Sequence, residues 1–281
     1  MNQSEEKEEA KRTIEEDAKF KETLSKIKYK VMVISGKGGV GKSFVTANLA
    51  MAFALKGYAI GVLDADVHGP SIPRMLGLKG EVPTVSPLGV FPVIGPLNIK
   101  VMSMDFLIPS DEIPVAWRSP LKVSILRQFI SDVIWGDLDI LFIDLPPGTG
   151  DEVISIAQLL QPDFALVITI PSEVSKAVVK KVITFTRTVN VPILGIVENM
   201  SYFVCPNCKS KYDLFGSGGG KKLAEEMRVP FLGAIPIDPS ISEACDKGLP
   251  YIAKYLDNET SKLFFDIVSK FEEELNKRSQ K

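Results

Sequence analysis

The stretch Val-Met-Val-Ile-Ser-Gly-Lys-Gly-Gly-Val-Gly-Lys-Ser, residues 31–43, decides the fold of this chain. Its apolar start, residues 31–35, is typical of a buried strand, and Gly36 to Ser43 fit the pattern G-x-x-x-x-G-K-[ST] of a phosphate-binding loop. Glycines allow backbone N–H groups to turn inward around phosphates, and the helix that follows presents its positive end to them. The motif therefore predicts a P-loop that holds the phosphates of ATP.

Two side chains of this loop have predicted chemical roles. We expect the Lys42 ammonium to neutralise the outer phosphates and the Ser43 hydroxyl to be a ligand of Mg²⁺. The residues predicted to contact the nucleotide in this part of the chain are Gly36, Lys37, Gly38, Gly39, Val40, Gly41, Lys42, Ser43 and Phe44.

Short apolar runs alternate with helical stretches from Lys30 onward. Runs of this length predict strands that are buried on both faces and therefore pair in parallel. The stretches between them, such as residues 42–56 and 172–189, are long enough for crossover helices. The predicted fold is α/β, with a doubly wound, mostly parallel sheet flanked by helices. The predicted strands are residues 31–35, 59–64, 140–144, 164–170, 193–198 and 231–235.

One P-loop ATPase domain is predicted over residues 30–281, after a charged helical extension over residues 1–29. The 281 residues are 45% hydrophobic, which is enough for one large core. Two regions interrupt the alternation, the Pro- and Gly-rich residues 77–120 and a cysteine-containing insertion at about 202–220. We expect both at the functional edge of the sheet. Residues 261–276 have apolar side chains at helical spacing and predict an amphipathic helix that packs on the domain.

Acidic residues end two of the predicted strands. Residues 140–144, Ile-Leu-Phe-Ile-Asp, have the Walker B pattern, and we expect Asp144 to hold Mg²⁺ through a water molecule. The Pro- and Gly-rich residues 145–151 suit a switch loop that responds to the γ-phosphate. The other strand end, Leu63-Asp64-Ala65-Asp66, lies where open sheets bind ligands. Beside a P-loop, this Asp-x-Asp turn is a candidate for orienting the attacking water.

Composition disfavours several classes of function. A formal net charge of −2 argues against non-specific nucleic-acid binding as the main task. The longest apolar runs are far shorter than the roughly 20 residues that span a bilayer, and the charged start of the chain is not a secretory signal. We therefore expect a cytoplasmic protein with neither a membrane nor a nucleic acid as partner.

Two of the three cysteines lie close together as Cys205-Pro-Asn-Cys208. This spacing fits a zinc knuckle, a redox dithiol or half of an iron-sulfur site, and does not choose among them. A closed zinc site or a [4Fe-4S] cluster needs four ligands, so the pair is two ligands short. The third cysteine, Cys245, lies in a predicted helix and is expected to be a buried structural thiol. His68 is expected to be a loop residue.

Taken together, these motifs resemble the Mrp/ApbC family of iron-sulfur carrier ATPases, relatives of the MinD and ParA type of deviant Walker A protein. The resemblance runs from residue 30 to about residue 252. It rests on Lys-Gly-Gly-Val-Gly-Lys-Ser at 37–43, Asp-Ala-Asp-Val-His-Gly-Pro-Ser at 64–71, Asp-Leu-Pro-Pro-Gly-Thr-Gly-Asp at 144–151, Glu-Asn-Met at 198–200, and Cys-x-x-Cys at 205–208 followed by Phe-Gly at 215–216.

The resemblance implies roles for individual residues in a slow ATP hydrolase. Lys37 matches the signature lysine, which crosses a homodimer interface and touches the phosphates bound by the other subunit. Asp66 matches the aspartate that positions water. Asn199, with Pro236 and Asp238, resembles the wall of the adenine site. The predicted catalytic residues are Lys37, Lys42, Asp66 and Asp144.

A homodimer also gives the cysteine pair a function. Two-fold symmetry would bring two pairs to one axis, where four thiolates can hold a bridging [4Fe-4S] cluster. Cys205 and Cys208 are then the cluster ligands, with zinc as the alternative metal, and the implied function is to carry the cluster and transfer it to apo-proteins. A ParA/MinD-like positioning ATPase that binds membrane or DNA is the alternative function. It predicts a Lys-rich tail, whereas the polar face of the tail helix is acidic.

Overall fold

An eight-stranded sheet forms the centre of the fold. The structure is a computed structural model that describes residues 15–66, 69–107 and 119–279. The strands of the sheet are β1 (Ile27–Ser35), β2 (Ile60–Asp64), β5 (Val93–Ile94), β6 (Lys100–Ser103), β7 (Leu138–Asp144), β8 (Phe164–Thr169), β9 (Ile193–Glu198) and β12 (Phe231–Ala234). Two small hairpins lie outside it, formed by β3 (Thr84–Ser86) with β4 (Gly89–Phe91) and by β10 (Phe203–Val204) with β11 (Lys211–Tyr212).

The strands are ordered β12-β9-β8-β1-β7-β2-β6-β5 across the sheet. Neighbouring strands are parallel, except that β5 is antiparallel to β6 at one edge. All six predicted strands lie in this sheet. The predicted fold class, a doubly wound and mostly parallel α/β sheet, is confirmed.

Helices cover both faces of the sheet. They are α1 (residues 15–25), α2 (Lys42–Leu55), α3 (Ile72–Met75), α4 (Ser119–Ser131), α5 (Asp151–Leu160), α6 (Glu173–Thr188), α7 (Gly219–Met227), α8 (Pro239–Asp246), α9 (Tyr251–Lys254) and α10 (Glu259–Ser279). Side chains alternate along β1, so that Val31 and Val33 join one apolar core while Met32 and Ile34 join the other. Helices α2, α3 and α8 to α10 contribute to the first core, and α1 and α4 to α7 contribute to the second.

The predicted tail helix is confirmed and packs on the domain. Helix α10 buries one stripe of side chains, which are Phe264, Ile267, Val268, Phe271 and Leu275. These residues belong to the core that α2 also covers. Among the described residues, no helix combines the length and the apolar character needed to cross a membrane.

Strand β1 begins at Ile27, four residues before the predicted start. Its first part alternates Ile27 and Tyr29 with lysines, so it reads as polar although it pairs with β7. The helix before it buries Phe20 against the second core. The strand and this contact therefore extend the packed structure into the predicted extension, residues 1–29.

The interruption of the strand–helix alternation predicted over residues 77–120 is wrong for part of this region. Strand β6 lies within this region and pairs with β2 inside the main sheet, and β5 pairs with β6. The four residues of β6 are too few to give a clear pattern between prolines and glycines. Their burial comes from the neighbouring strand, which sequence reasoning does not see.

Candidate functional site

The candidate nucleotide site lies at the carboxyl edge of the sheet. Asp64 and Asp144 stand opposite each other at the ends of β2 and β7, and the P-loop connects β1 to α2 beside them. A cleft of about 230 Å³ opens at this edge. It is lined by Ser35, Lys37, Gly38, Gly39, Val40, Gly41, Lys42, Ser43, Phe44, Asp66, Gly69, Ser71, Met75 and Pro147. The P-loop, the Asp-x-Asp turn and the predicted switch loop thus meet at one cleft.

The backbone of the P-loop requires glycine at two positions. Gly39 and Gly41 have φ angles of 76° and 77°, in the left-handed region that residues with a Cβ rarely adopt. A Cβ on Gly41 would lie 2.2 Å from the amide nitrogen of Asn199. Gly41 is also the N-cap of α2, makes no side-chain cap, and is followed by a first turn without acidic residues. The N–H groups at the start of α2 therefore suit an anion.

Asp144 is fully buried and accepts three side-chain hydrogen bonds. The donors are Lys42 Nζ at 2.7 Å, Ser43 Oγ at 2.6 Å and Thr46 Oγ1 at 2.7 Å. Because the Ser43 hydroxyl donates its proton to the carboxylate, the lone pairs of its oxygen remain for a cation. A hydroxyl beside a carboxylate is a donor set that fits Mg²⁺, which prefers oxygen ligands. Sequence reasoning missed Thr46, which lies one helical turn after Lys42.

The Asp64 carboxyl is buried and lies next to Asp144. Burial, and then the negative charge of Asp144, raise the pKa of Asp64 to about 8. Ser103 Oγ donates a hydrogen bond to Asp64 at 3.0 Å, and the backbone N–H of Asp66 donates another at 3.3 Å. A protonated Asp64 adds no second charge beside Asp144. Asp64 instead shapes the turn that brings Asp66 to the cleft.

Lys37 lines the cleft with a half-buried side chain. Its backbone carbonyl accepts a hydrogen bond from Ser35 Oγ at 3.1 Å. Within the residues that the structure describes, the Lys37 ammonium makes no hydrogen bond and no ion pair. Lys42, in contrast, is paired with Asp144 and only 6% exposed. The Lys37 ammonium is thus available to phosphate groups at the mouth of the cleft.

The three residues predicted for the adenine wall do not line this cleft. The Asn199 side chain is buried and donates to the carbonyl of Val40 at 2.9 Å. The Asp238 carboxylate caps α8 and accepts from Tyr251 Oη at 2.6 Å and from Thr260 Oγ1 at 3.0 Å. Pro236 is buried. The assignment of these residues to the adenine site stays a prediction.

The cysteine pair lies in the turn between β10 and β11. The Cys205 N–H donates to the Ser210 carbonyl at 3.0 Å, and the Lys209 N–H donates to the Cys205 carbonyl at 2.9 Å, which closes the turn. Both thiols are free, with Cys205 half-buried and Cys208 exposed. Within the described ranges, no group of three or more His, Cys, Asp or Glu residues could hold a metal ion. One chain therefore offers this site two sulfur ligands.

Hydrogen bonding makes the Cys208 thiol more acidic than an ordinary cysteine thiol. The Ser210 hydroxyl, 3.3 Å from Cys208 Sγ, is the largest cause that lowers the pKa of Cys208 to about 7, followed by the Ser210 backbone and Cys205. Burial instead raises the pKa of Cys245, which packs against the first core from α8. Cys245 is half-buried, less deeply than the sequence predicted, and its structural role stays a prediction.

Cys208 is expected to react with iodoacetamide with a midpoint near pH 7, at its pKa of about 7, because the thiolate is the nucleophile. Cys245 should stay unreactive over the same range. Alkylation rates against pH, resolved by peptide mass mapping, check both statements. Ser210→Ala should move the Cys208 midpoint upward, and an unmoved midpoint would contradict the assigned cause.

The fold and the cleft together define the class of this protein. A parallel sheet whose first central strand runs into a glycine-rich loop, with a buried Walker B aspartate on the neighbouring strand, is a P-loop nucleotide-binding domain. The sequence profile of the ParA-type NUBPL iron-transfer P-loop NTPases matches residues 26–272. The chain belongs to this family, as the motifs had predicted.

Individual relatives agree with the family. An iron-sulfur cluster carrier protein of Saccharolobus solfataricus is 56% identical over 255 residues, which cover 90% of this chain and 86% of that protein. A cytosolic Fe-S cluster assembly factor, CFD1, of Kluyveromyces lactis is 50% identical over 233 residues, which cover 80% and 82% of the two chains. A solved nucleotide-binding protein of Archaeoglobus fulgidus, in complex with ADP, is 42% identical with a TM-score of 0.77, over 89% of this chain and 96% of that one.

Proposed function

We propose that this chain binds and slowly hydrolyses ATP, holds a [4Fe-4S] cluster between two copies of itself, and transfers that cluster to apo-proteins. One observation carries the proposal: a P-loop domain presents a pair of free thiols, Cys205 half-buried and Cys208 exposed with a pKa of about 7, on a hairpin outside its main sheet. The names of the relatives, which describe cluster carriers and a cluster assembly factor, support the cargo.

Each side chain in the nucleotide cleft has a proposed task in hydrolysis. Lys42 contacts the outer phosphates, and Ser43 and Asp144 hold Mg²⁺, Asp144 through a water molecule. Mg²⁺ supplies charge neutralisation at the phosphates when it is bound. Asp66 orients the attacking water. Lys37 contacts the phosphates held by the other copy, and this role is supported by its ammonium, which has no partner among the residues that the structure describes.

Two cysteine pairs complete the cluster site. Two ligands per chain become four when a two-fold axis brings two hairpins together, since a symmetric interface uses the same patch twice. The positive charge around the cysteine pair favours metal binding by its thiolates. Residues 205–222 include four exposed lysines and one aspartate, in a chain with a net charge of −2. An electropositive setting stabilises thiolates, the form that binds metal. A zinc ion bridging the same four sulfurs is the second candidate cargo, because tetrahedral thiolate sites also suit zinc.

The proposed partners are a second copy of the chain and apo-proteins that need a cluster. Transfer is ligand exchange: thiolates of the acceptor displace those of Cys205 and Cys208 one at a time, and iron–sulfur bonds form and break without net oxidation. We place the protein in the cytoplasm, in agreement with the cytosolic relative, and expect neither a membrane nor a nucleic acid as partner.

Cluster transfer is expected to proceed directly from protein to protein. The cluster-loaded protein is mixed anaerobically with the apo-form of a [4Fe-4S] protein and an iron chelator, and the acceptor's spectrum is followed. The control supplies equal amounts of free iron and sulfide. Transfer from the loaded protein should survive the chelator while the control is suppressed. If the chelator stops both, the chain releases iron and does not carry a cluster.

A further inference from the structure

The Glu198 carboxylate accepts hydrogen bonds from both ends of the segment that contains the cysteine pair, residues 201–220. Glu198 ends β9 and is 1% exposed. One of its oxygens, Oε1, accepts from Ser201 Oγ at 2.5 Å, and the other, Oε2, accepts from the backbone N–H of Gly220. Ser201 leads into the hairpin that holds the cysteines, and Gly220 lies in the first turn of α7, where the chain leaves that segment. One side chain therefore fixes both ends of the segment.

The next residue, Asn199, holds the nucleotide loop. Its side-chain amide donates to the Val40 carbonyl in the P-loop at 2.9 Å, and its backbone N–H donates to Thr169 in β8 at 2.8 Å. A Cβ on Gly41 would lie 2.2 Å from the same amide nitrogen, so the loop and Asn199 are in direct contact. Two consecutive residues thus touch the P-loop on one side and the cysteine segment on the other.

The contact at Gly220 leaves no free space. A Cβ on Gly220 would lie 3.0 Å from Glu198 Oε2 and 3.1 Å from Glu198 Cβ. A Cβ on Gly219 would lie 2.6 Å from the carbonyl oxygen of Pro171. The start of α7 is therefore closely packed against the edge of the sheet. Closely packed groups transmit displacements to one another.

From these contacts we infer that Glu198 and Asn199 are positioning residues that couple the P-loop to the cysteine pair. A change in the P-loop on nucleotide binding moves Asn199, and Glu198 passes the change to both ends of the segment that holds Cys205 and Cys208. This inference rests on the proposed function only in that these thiols are the cluster ligands. The coupling itself concerns the chain without a cluster.

The test measures the alkylation rate of Cys208 in cluster-free protein, with and without saturating ADP and Mg²⁺. Light scattering selects a concentration at which ADP does not change the molecular mass, so that a second copy does not shield the thiol. In the native protein ADP should change the rate about fivefold or more, the usual lower range of coupling between sites. In Glu198→Gln and Asn199→Ala, the ratio, which is the factor by which ADP changes the alkylation rate of Cys208, should fall towards one. ADP binding is verified in each variant.

Two further variants make the result specific. Glu272→Gln changes a carboxylate that also accepts two side-chain hydrogen bonds, from Lys56 and Tyr58, away from the site, and it should keep the native ratio. Ser201→Ala removes the hydroxyl that donates to Glu198 and should lower the ratio. This variant keeps the test available if Glu198→Gln does not fold.

An ADP-independent rate in the native protein would overturn the coupling, and so would native ratios in Glu198→Gln, Asn199→Ala and Ser201→Ala. Failure of the proposed function has another signature, because a native protein that binds no cluster can still show the ADP effect.

Discussion

Replacing Lys37 by alanine is expected to lower the rate of ATP hydrolysis about 100-fold or more, the usual loss on removing a donor to transition-state charge. Binding of ATP should weaken far less. The reason lies in the cleft: Lys37 is half-buried there and its ammonium has no partner among the described residues, so the variant loses a charge without leaving a buried group unpaired. Steady-state hydrolysis and nucleotide titration of the same preparations check the two halves of this expectation.

Lys42→Ala is the matched comparison. Lys42 is buried in an ion pair with Asp144 and lies at the start of α2, so its loss removes the proposed phosphate contact and leaves the Asp144 carboxylate without its cation. We expect this variant to lose nucleotide binding or hydrolysis. Unaltered turnover in Lys37→Ala would contradict the proposed contact across the dimer. A mixture of Lys37→Ala with a hydrolysis-deficient Asp66→Ala protein should recover activity if Lys37 acts on the other subunit's nucleotide.

The double variant Cys205→Ala, Cys208→Ala is expected to lose the iron-sulfur cluster completely. The two thiols are the proposed ligands on the hairpin, and the remaining thiol, Cys245, is half-buried in α8 with a pKa raised by burial. Anaerobic reconstitution followed by visible absorbance and iron analysis makes the measurement.

Cys245→Ala is the control for this loss and should keep the native absorbance. Because the hairpin lies outside the main sheet, the double variant should also keep its nucleotide binding. An unchanged absorbance band in the double variant would show that the proposed ligands are wrong.

The central part of the fold could be predicted from the sequence because its signals are local. Each of the six predicted strands is a nearly continuous apolar run, and the P-loop motif marks where the first of these becomes a helix. The missed parts depend on neighbours. Strand β6 is four residues long and owes its place to pairing with β2, and the start of β1 is half-polar because its early residues lie near the surface.

The candidate site likewise has residues that motifs predict and features that depend on contacts between distant segments. Lys37, Ser43, Asp66 and Asp144 were predicted from motifs, and the structure brings them to one edge of the sheet. Two features depended on contacts between distant segments, and the sequence does not show them. The high pKa of Asp64 comes from burial beside Asp144. The hydrogen bond from the Gly220 N–H to Glu198 joins residues 22 positions apart.

The measurement that tests the central claim most directly is the stoichiometry of the reconstituted protein. Anaerobically loaded protein is analysed for iron, acid-labile sulfide and zinc, and its mass is determined by light scattering in the same sample. The proposal predicts a dimer with one [4Fe-4S] cluster for every two chains, since each chain offers two thiolates on its hairpin. One cluster in each monomer, or zinc without sulfide, would contradict it.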